Sequence, residues 1–268
     1  MAQGAPSPPH GRAGRVAFRV VVPARYGATR LPGKPLLPLA GRPMIEWVYR
    51  RACRSSAQQV LIATDDARIL EAARSFGATA LLTAATHLSG TDRIAEVARR
   101  EGWGAEEIVV NVQGDEPLLP ESLMDQVAAV LATHAQAQLA TLAVPIESAA
   151  QMHDPNVVKV VSGAGQRALY FSRAPIPWER AAAAPSVPAA AARRHLGIYA
   201  YRVGALLQLA ALAPTPLEQL EKLEQLRALE HGMDVRVVDA REVPGGDITT
   251  AADVPRVEAL LASERYRL

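Results

Sequence analysis

Cysteine is almost missing from this chain: Cys53 stands alone among 268 residues. A single thiol excludes an internal disulfide and a zinc site built from cysteines. Cys53 falls in an apparent helix, which predicts a buried structural thiol. A surplus of one charge is missing too, since the formal net charge is only +2. No nucleic-acid or membrane partner is therefore demanded. No apolar run approaches the length that spans a bilayer. The first fifteen residues are rich in Pro, Gly, Ala and Ser and lack an apolar centre. Residues 1–15 read as a disordered extension rather than a signal peptide, and the protein is expected in the cytoplasm.

What is present is an ordinary globular composition, 49% apolar and 21% charged. The length suffices for a full core, and a single domain over residues 16–268 is expected. An apolar run at residues 18–22 reads as a buried strand. Pro23 is expected to end it, because proline offers no N–H to a ladder. A loop follows that carries Arg25, Arg30 and Lys34 between Gly27, Pro32 and Gly33. Cations leaving a strand end lie where open α/β sheets bind ligands. Arginine forks and a lysine point charge suit a polyanion, a triphosphate best of all. A solvated basic loop is the plain alternative. The spacing matches neither G-x-G-x-x-G nor G-x-x-x-x-G-K-[ST], because Pro35 follows Lys34.

Strands are expected at residues 60–64, 78–82 and 108–112. Helices are expected at 43–55, from Asp65-Asp66 to Gly77, from Ser89 onward, and at 120–134. Beyond them, 139–146, 157–161, 168–172 and 193–202 read as strands with little helix between. Residues 181–192 read as a mobile Ala/Pro loop. Residues 216–231 read as one helix, with a stripe of Leu217, Leu220, Leu223 (or Glu224), Leu226 and Leu229. A strand at 235–238 and a helix from about 251 close the chain. The pattern predicts an α/β fold: a Rossmann-like mixed, mostly parallel sheet with helices on both faces and an inserted antiparallel subregion.

Three stretches besides the basic loop carry chemistry. Gln113-Gly114-Asp115-Glu116-Pro117 puts an acidic pair directly after a strand. Asp115 can offer hard oxygens to Mg²⁺, or the pair can simply cap a helix. Ser89-Gly90-Thr91-Asp92-Arg93 reads by itself as an ordinary N-cap. Arg173 and His195 could bind a carboxylate and hydroxyls, although a lone histidine is more often structural.

Ala24-Arg25-Tyr26 with Thr29-Arg30-Leu31-Pro32-Gly33-Lys34-Pro35 resembles the opening signature of the sugar-activating cytidylyltransferases. Within them the resemblance is to the branch that activates 3-deoxy-manno-octulosonate (Kdo). Further motifs follow in order to about residue 257: Gln113 to Pro117, Tyr170 to Trp178, Arg193 to Tyr199, and Pro216 to Arg227. The resemblance implies cytidylyl transfer from CTP to Kdo with release of pyrophosphate, for lipopolysaccharide biosynthesis. The alternatives are a related acidic sugar (8-amino-Kdo or a sialic acid) or a non-catalytic nucleotide-binding regulator. It implies Arg25, Lys34 and Asp115 as catalytic residues. Ala24, Arg25, Arg30, Lys34, Ser89, Thr91 and Arg93 would bind the nucleotide. Gln113, Arg173, His195, Glu224 and Gln225 would bind the eight-carbon sugar. Mg²⁺ and a homodimer are implied as well.

The chain departs from the family twice. Ala28 stands where many relatives carry a hydroxyl residue. Thr249 stands where the family's closing Gly-x-Asp-Thr-Pro motif has its second metal carboxylate. Asp247, two positions earlier, is expected to approach the metal beside Asp115, directly or through water, with Gly245-Gly246 permitting the shift. Thr249 is then expected to cap the last helix.

Overall fold

The computed structural model describes residues 16–27, 31–180, 187, 191–266 and 268. The expected N-terminal extension, Ala28, Arg30 and most of the 181–192 loop lie outside the described residues. The chain runs β1 (Phe18–Ala24), β2 (Pro38–Leu39), β3 (Arg42–Pro43), α1 (Met44–Ala52), β4 (Gln59–Thr64), α2 (Ala67–Ser75), β5 (Ala80–Leu82), α3 (Gly90–Arg100), β6 (Ile108–Asn111) and α4 (Glu121–Thr133). It continues with β7 (Leu139–Pro145), α5 (Ala149–His153), β8 (Lys159–Ser162), β9 (Ala168–Ser172), β10 (Arg193–Arg202), α6 (Val203–Ala211), α7 (Pro216–Glu221), α8 (Gln225–Glu230), β11 (Val235–Asp239) and α9 (Val254–Leu261).

The main sheet has the order β11-β7-β10-β6-β1-β4-β5, and β8 and β9 branch from β10. β1 pairs in parallel with both β4 and β6, whereas β10 runs antiparallel to β6, β7 and β8. This is the mixed sheet with an antiparallel subregion that the element pattern predicts. One core covers one face, where Ile45, Val48, Ile69, Leu123 and Val127 pack beneath α1, α2 and α4. A second core covers the other face, with Ile94, Val97, Leu206, Leu209 and Leu226 from α3, α6 and α8. β1 is closed on both faces, which is why it reads as an unbroken apolar run. No described helix is long and apolar enough to cross a membrane.

β1 passes through Pro23 to Ala24, contrary to the expected stop, and Pro23 lies opposite Ala63 of β4. The Val21 carbonyl accepts from the Val112 N–H, so Val21 turns its main-chain groups toward β6. Pro23, two residues on, turns the same way, but β6 pairing with β1 ends at Val21–Asn111. The missing N–H of Pro23 therefore leaves no ladder acceptor empty.

The expected single helix over 216–231 is two short helices. Lys222 breaks it in the left-handed conformation (φ 55°). The cause is tertiary: the Glu221 carboxylate accepts from Ser172 Oγ at 2.6 Å and from the Arg173 N–H at 2.9 Å. The stripe breaks with it, since Leu220 is exposed while Leu223 and Leu226 are buried. α6 (Val203–Ala211) is a helix that the pattern did not reveal. Cys53 is exposed just past the end of α1, not buried. Thr250, not Thr249, caps the turn before α9, in a reciprocal capping box with Asp253.

Candidate active site

The carboxyl ends of β1 and β6 lie side by side, and the chain leaves them on opposite errands. From β1 it goes to α1 and β4; β6 is reached from β5 and α3 on the far side. That reversal opens a crevice where ligands of such sheets bind. The cavity there is walled by Arg25, Lys34, Ser89, Gln113, Asp115 and Asp247, together with Ala24, Gly90, Arg93 and Thr249. An adjoining groove shares Arg25 and Ser89 and adds Glu224, Lys222 and Arg227.

The basic loop is closed by its glycine. The Gly33 N–H donates to the Tyr26 carbonyl at 3.0 Å, and Gly33 has φ 71°. A Cβ there would meet the Tyr26 ring at 3.1 Å, so both space and conformation require glycine. Lys34 is thereby turned inward. Its Nζ donates to Asp115 Oδ2 at 2.6 Å. Gly114 lets the acidic loop approach β1, since a Cβ would stand 3.0 Å from the Pro23 carbonyl. The Ile248 N–H donates to the Asp115 carbonyl at 3.1 Å and brings the closing segment against the same loop. Arg25 is exposed on the cavity wall. Arg30 is outside the described residues.

Asp247 is exposed on the cavity wall, and its Oδ2 accepts from Thr249 Oγ1 at 2.9 Å. Arg256 holds the segment behind it, donating to the carbonyls of Gly245 and Asp247 at 2.7 and 3.1 Å. Asp115 and Asp247 both line this cavity. The Glu116 carboxyl is pushed up to about 8, first by burial and then by those two charges. Two hard carboxylates on one wall suit Mg²⁺, which takes one or two carboxylates and fills its shell with water and phosphate. Among the described residues no group of three His, Cys, Asp or Glu side chains could enclose a metal. The donor set therefore fits a Mg²⁺ shared with a phosphate ligand rather than an all-protein cage.

α3 begins at the cavity with Ser89 as N-cap. The Asp92 N–H donates to Ser89 Oγ at 3.1 Å, and Ser89 Oγ donates to Glu224 Oε1 at 3.2 Å. Thr91, in the first turn of α3, is buried. The break after α7 is what delivers Glu224 to this place, and burial raises its carboxyl above the usual range. Arg93 is also buried. Its guanidinium donates to Thr83 Oγ1 and, at 2.8 Å, to Asp65 Oδ2, so its fork is committed inside the protein.

The other expected sugar residues divide. Gln113 lines the cavity. Gln225 is buried at the start of α8. Arg173 donates to the carbonyls of Glu221 and Pro155 at 2.7 and 2.8 Å, which latches β9 to the α7–α8 break. His195 lies in an aromatic row, with its ring centroid 5.1 Å from Phe171 and 5.3 Å from Tyr199. Burial, then the neighbouring Arg194, pushes its imidazole down to about 3. Sequence reasoning missed Thr141, Asn111, Tyr199 and Tyr201, which stand beside these residues on β6, β7 and β10. The Asn111 Oδ1 and the Tyr199 hydroxyl are buried without a hydrogen-bond partner. Only the strand alternation of β10 could have pointed to the tyrosines.

Residues 19–235 match the cytidylyltransferase family profile. The 3-deoxy-manno-octulosonate cytidylyltransferase of Pseudomonas fluorescens is 57% identical over 252 residues, covering 91% of this chain and 98% of that protein. The same enzyme of Thioalkalivibrio sulfidiphilus is 53% identical over 248 residues, with 92% and 99% covered. A solved CMP:2-keto-3-deoxy-manno-octonic acid synthetase, complexed with CTP, superposes with a TM-score of 0.83 at 40% identity, covering 92% of this chain and 98% of that one. A cytidylyltransferase structure from Leptospira borgpetersenii, 15% identical with a TM-score of 0.59, shares the fold. The chain belongs to the cytidylyltransferase family, among its 3-deoxy-manno-octulosonate members.

Proposed function

We propose that the chain transfers the cytidylyl group of CTP to Kdo, giving CMP-Kdo and pyrophosphate, a sugar activated for lipopolysaccharide synthesis. The observation that carries this reading is the Lys34–Asp115 pair, 2.6 Å apart at the crevice between β1 and β6. A cation and a hard carboxylate at that point suit a triphosphate and its counterion. The names of the relatives supply the sugar.

In this reading Arg25, Arg30 and Lys34 hold the triphosphate, with Ala24 and the N-cap Ser89 beside the nucleotide. Thr91 and Arg93 hold the start of α3 from within. Asp115 and Asp247 would hold Mg²⁺, which when bound supplies positive charge to the phosphate oxygens. The sugar's anomeric hydroxyl oxygen forms a bond to the α-phosphorus as the bond to pyrophosphate breaks, and its proton passes to water. Lys34 and Arg25 neutralise the departing pyrophosphate. Gln113, His195 and Glu224 orient the sugar, with Gln225 and Arg173 supporting the wall. The chain's own contribution is positioning and charge, with no covalent intermediate. A homodimer and a cytoplasmic location belong to the same reading. Pyrophosphate release from CTP in the presence of Kdo tests it. A regulator on the same fold would bind CTP and release none.

A further inference from the structure

Thr141 is completely buried on β7, and three polar atoms of β10 converge on its hydroxyl. Oγ1 lies 2.7 Å from the Ile198 carbonyl, 3.1 Å from the Leu196 carbonyl and 3.0 Å from His195 Nε2. The irregular register between Leu196 and Tyr199 is what turns both carbonyls toward Thr141. A hydroxyl has one hydrogen and two lone pairs, and a carbonyl only accepts. The hydrogen of Thr141 therefore goes to a carbonyl, at the shorter distance Ile198. What remains for His195 Nε2 is a lone pair, so Nε2 must carry the ring's hydrogen and donate it. A neutral imidazole has one N–H, which leaves Nδ1 bare. Among the described residues no hydrogen bond to Nδ1 is formed. The Tyr199 hydroxyl is buried without a hydrogen-bond partner, on a ring whose centroid lies 5.3 Å from that of His195.

We propose that Thr141 is a positioning residue which locks His195 as the Nε2–H tautomer, so that Nδ1 accepts a hydrogen bond from a hydroxyl of the sugar. This rests on the cytidylyltransferase reading and sharpens it. A bare nitrogen repels a carboxylate, so His195 reads a hydroxyl and the sugar's carboxylate is bound elsewhere. Losing Thr141 frees the ring to take either tautomer, and the Nδ1–H form presents a donor where an acceptor is needed.

The test combines ¹⁵N-histidine NMR of the full chain with steady-state kinetics of wild type, Thr141→Val and Thr141→Ser. The wild type shows the neutral Nε2–H form of His195 at neutral pH. Thr141→Val gives a mixture of tautomers and raises KM for Kdo about tenfold, the worth of one hydrogen bond, with KM for CTP unchanged. Thr141→Ser, which keeps the hydroxyl, restores both. A wild-type ring in the Nδ1–H or doubly protonated form overturns the inference. So does a Thr141→Val enzyme whose tautomer and KM for Kdo match the wild type. Absence of turnover by the wild type with CTP and Kdo overturns the functional reading instead, while the NMR signal still reports the tautomer.

Discussion

Lys34 and Asp115 are 81 residues apart in sequence and 2.6 Å apart in space, Nζ to Oδ2, across the crevice that divides the sheet. Their side chains are 13% and 37% exposed, so the pair faces the cavity rather than the core. The pair stands on the cavity wall, positioned to exchange partners with a ligand.

Lys34→Ala and Arg25→Ala should each lower kcat/KM for CTP at least ~100-fold, about 2.7 kcal/mol of transition-state stabilisation. Melting temperature should move little for Arg25→Ala, because that cation is exposed. Turnover close to wild type in either variant would remove that residue from the phosphate site.

The two carboxylates should separate in a magnesium titration. Asp115→Asn should abolish turnover at every Mg²⁺ concentration. Asp247→Asn should raise the Mg²⁺ needed for half-maximal rate and keep much of the saturated rate. Mn²⁺ binding in the presence of CTP, followed by electron paramagnetic resonance, should weaken in the same order. An unchanged metal curve for Asp247→Asn would leave Asp115 as the sole carboxylate in that role.

The layered fold was legible because β1, β4 and β6 are short apolar runs followed by loops that carry charge. The basic loop and Asp115 were legible as residue types, because a strand end needs no distant contact to be recognised. Pro23 misled because its consequence depends on which neighbour its missing N–H would have faced. The break at Lys222 was hidden because Ser172 and Arg173, from another strand, draw Glu221 out of the helical run. With it was hidden the delivery of Glu224 to Ser89. Thr141 carried no signal, since its role arises only where the β10 irregularity meets β7.

Glu116 should make stability depend on pH. Its carboxyl rises from 4.5 to about 8 in the folded chain, chiefly through burial. The folded state therefore holds a proton that the unfolded state loses first, and stability falls as pH rises between those values. Glu116→Gln removes that loss. In metal-free protein its melting temperature should exceed the wild type's near pH 8 and match it near pH 4. Parallel pH curves for the two proteins would refute the linkage.

CTP should be used in preference to UTP when kcat/KM values are compared. Cytosine presents an amino donor where uracil presents a carbonyl, and a site built for one leaves polar groups unpaired with the other. Equal use of the two would remove the base selectivity and leave only a triphosphate site.

The most direct measurement is continuous pyrophosphate release by the purified chain with CTP, Mg²⁺ and a panel of Kdo, 8-amino-Kdo and sialic acid. Release should require both CTP and a sugar, with Kdo giving the highest kcat/KM. Bound CTP with no pyrophosphate released for any sugar, or a preference for sialic acid, would contradict it.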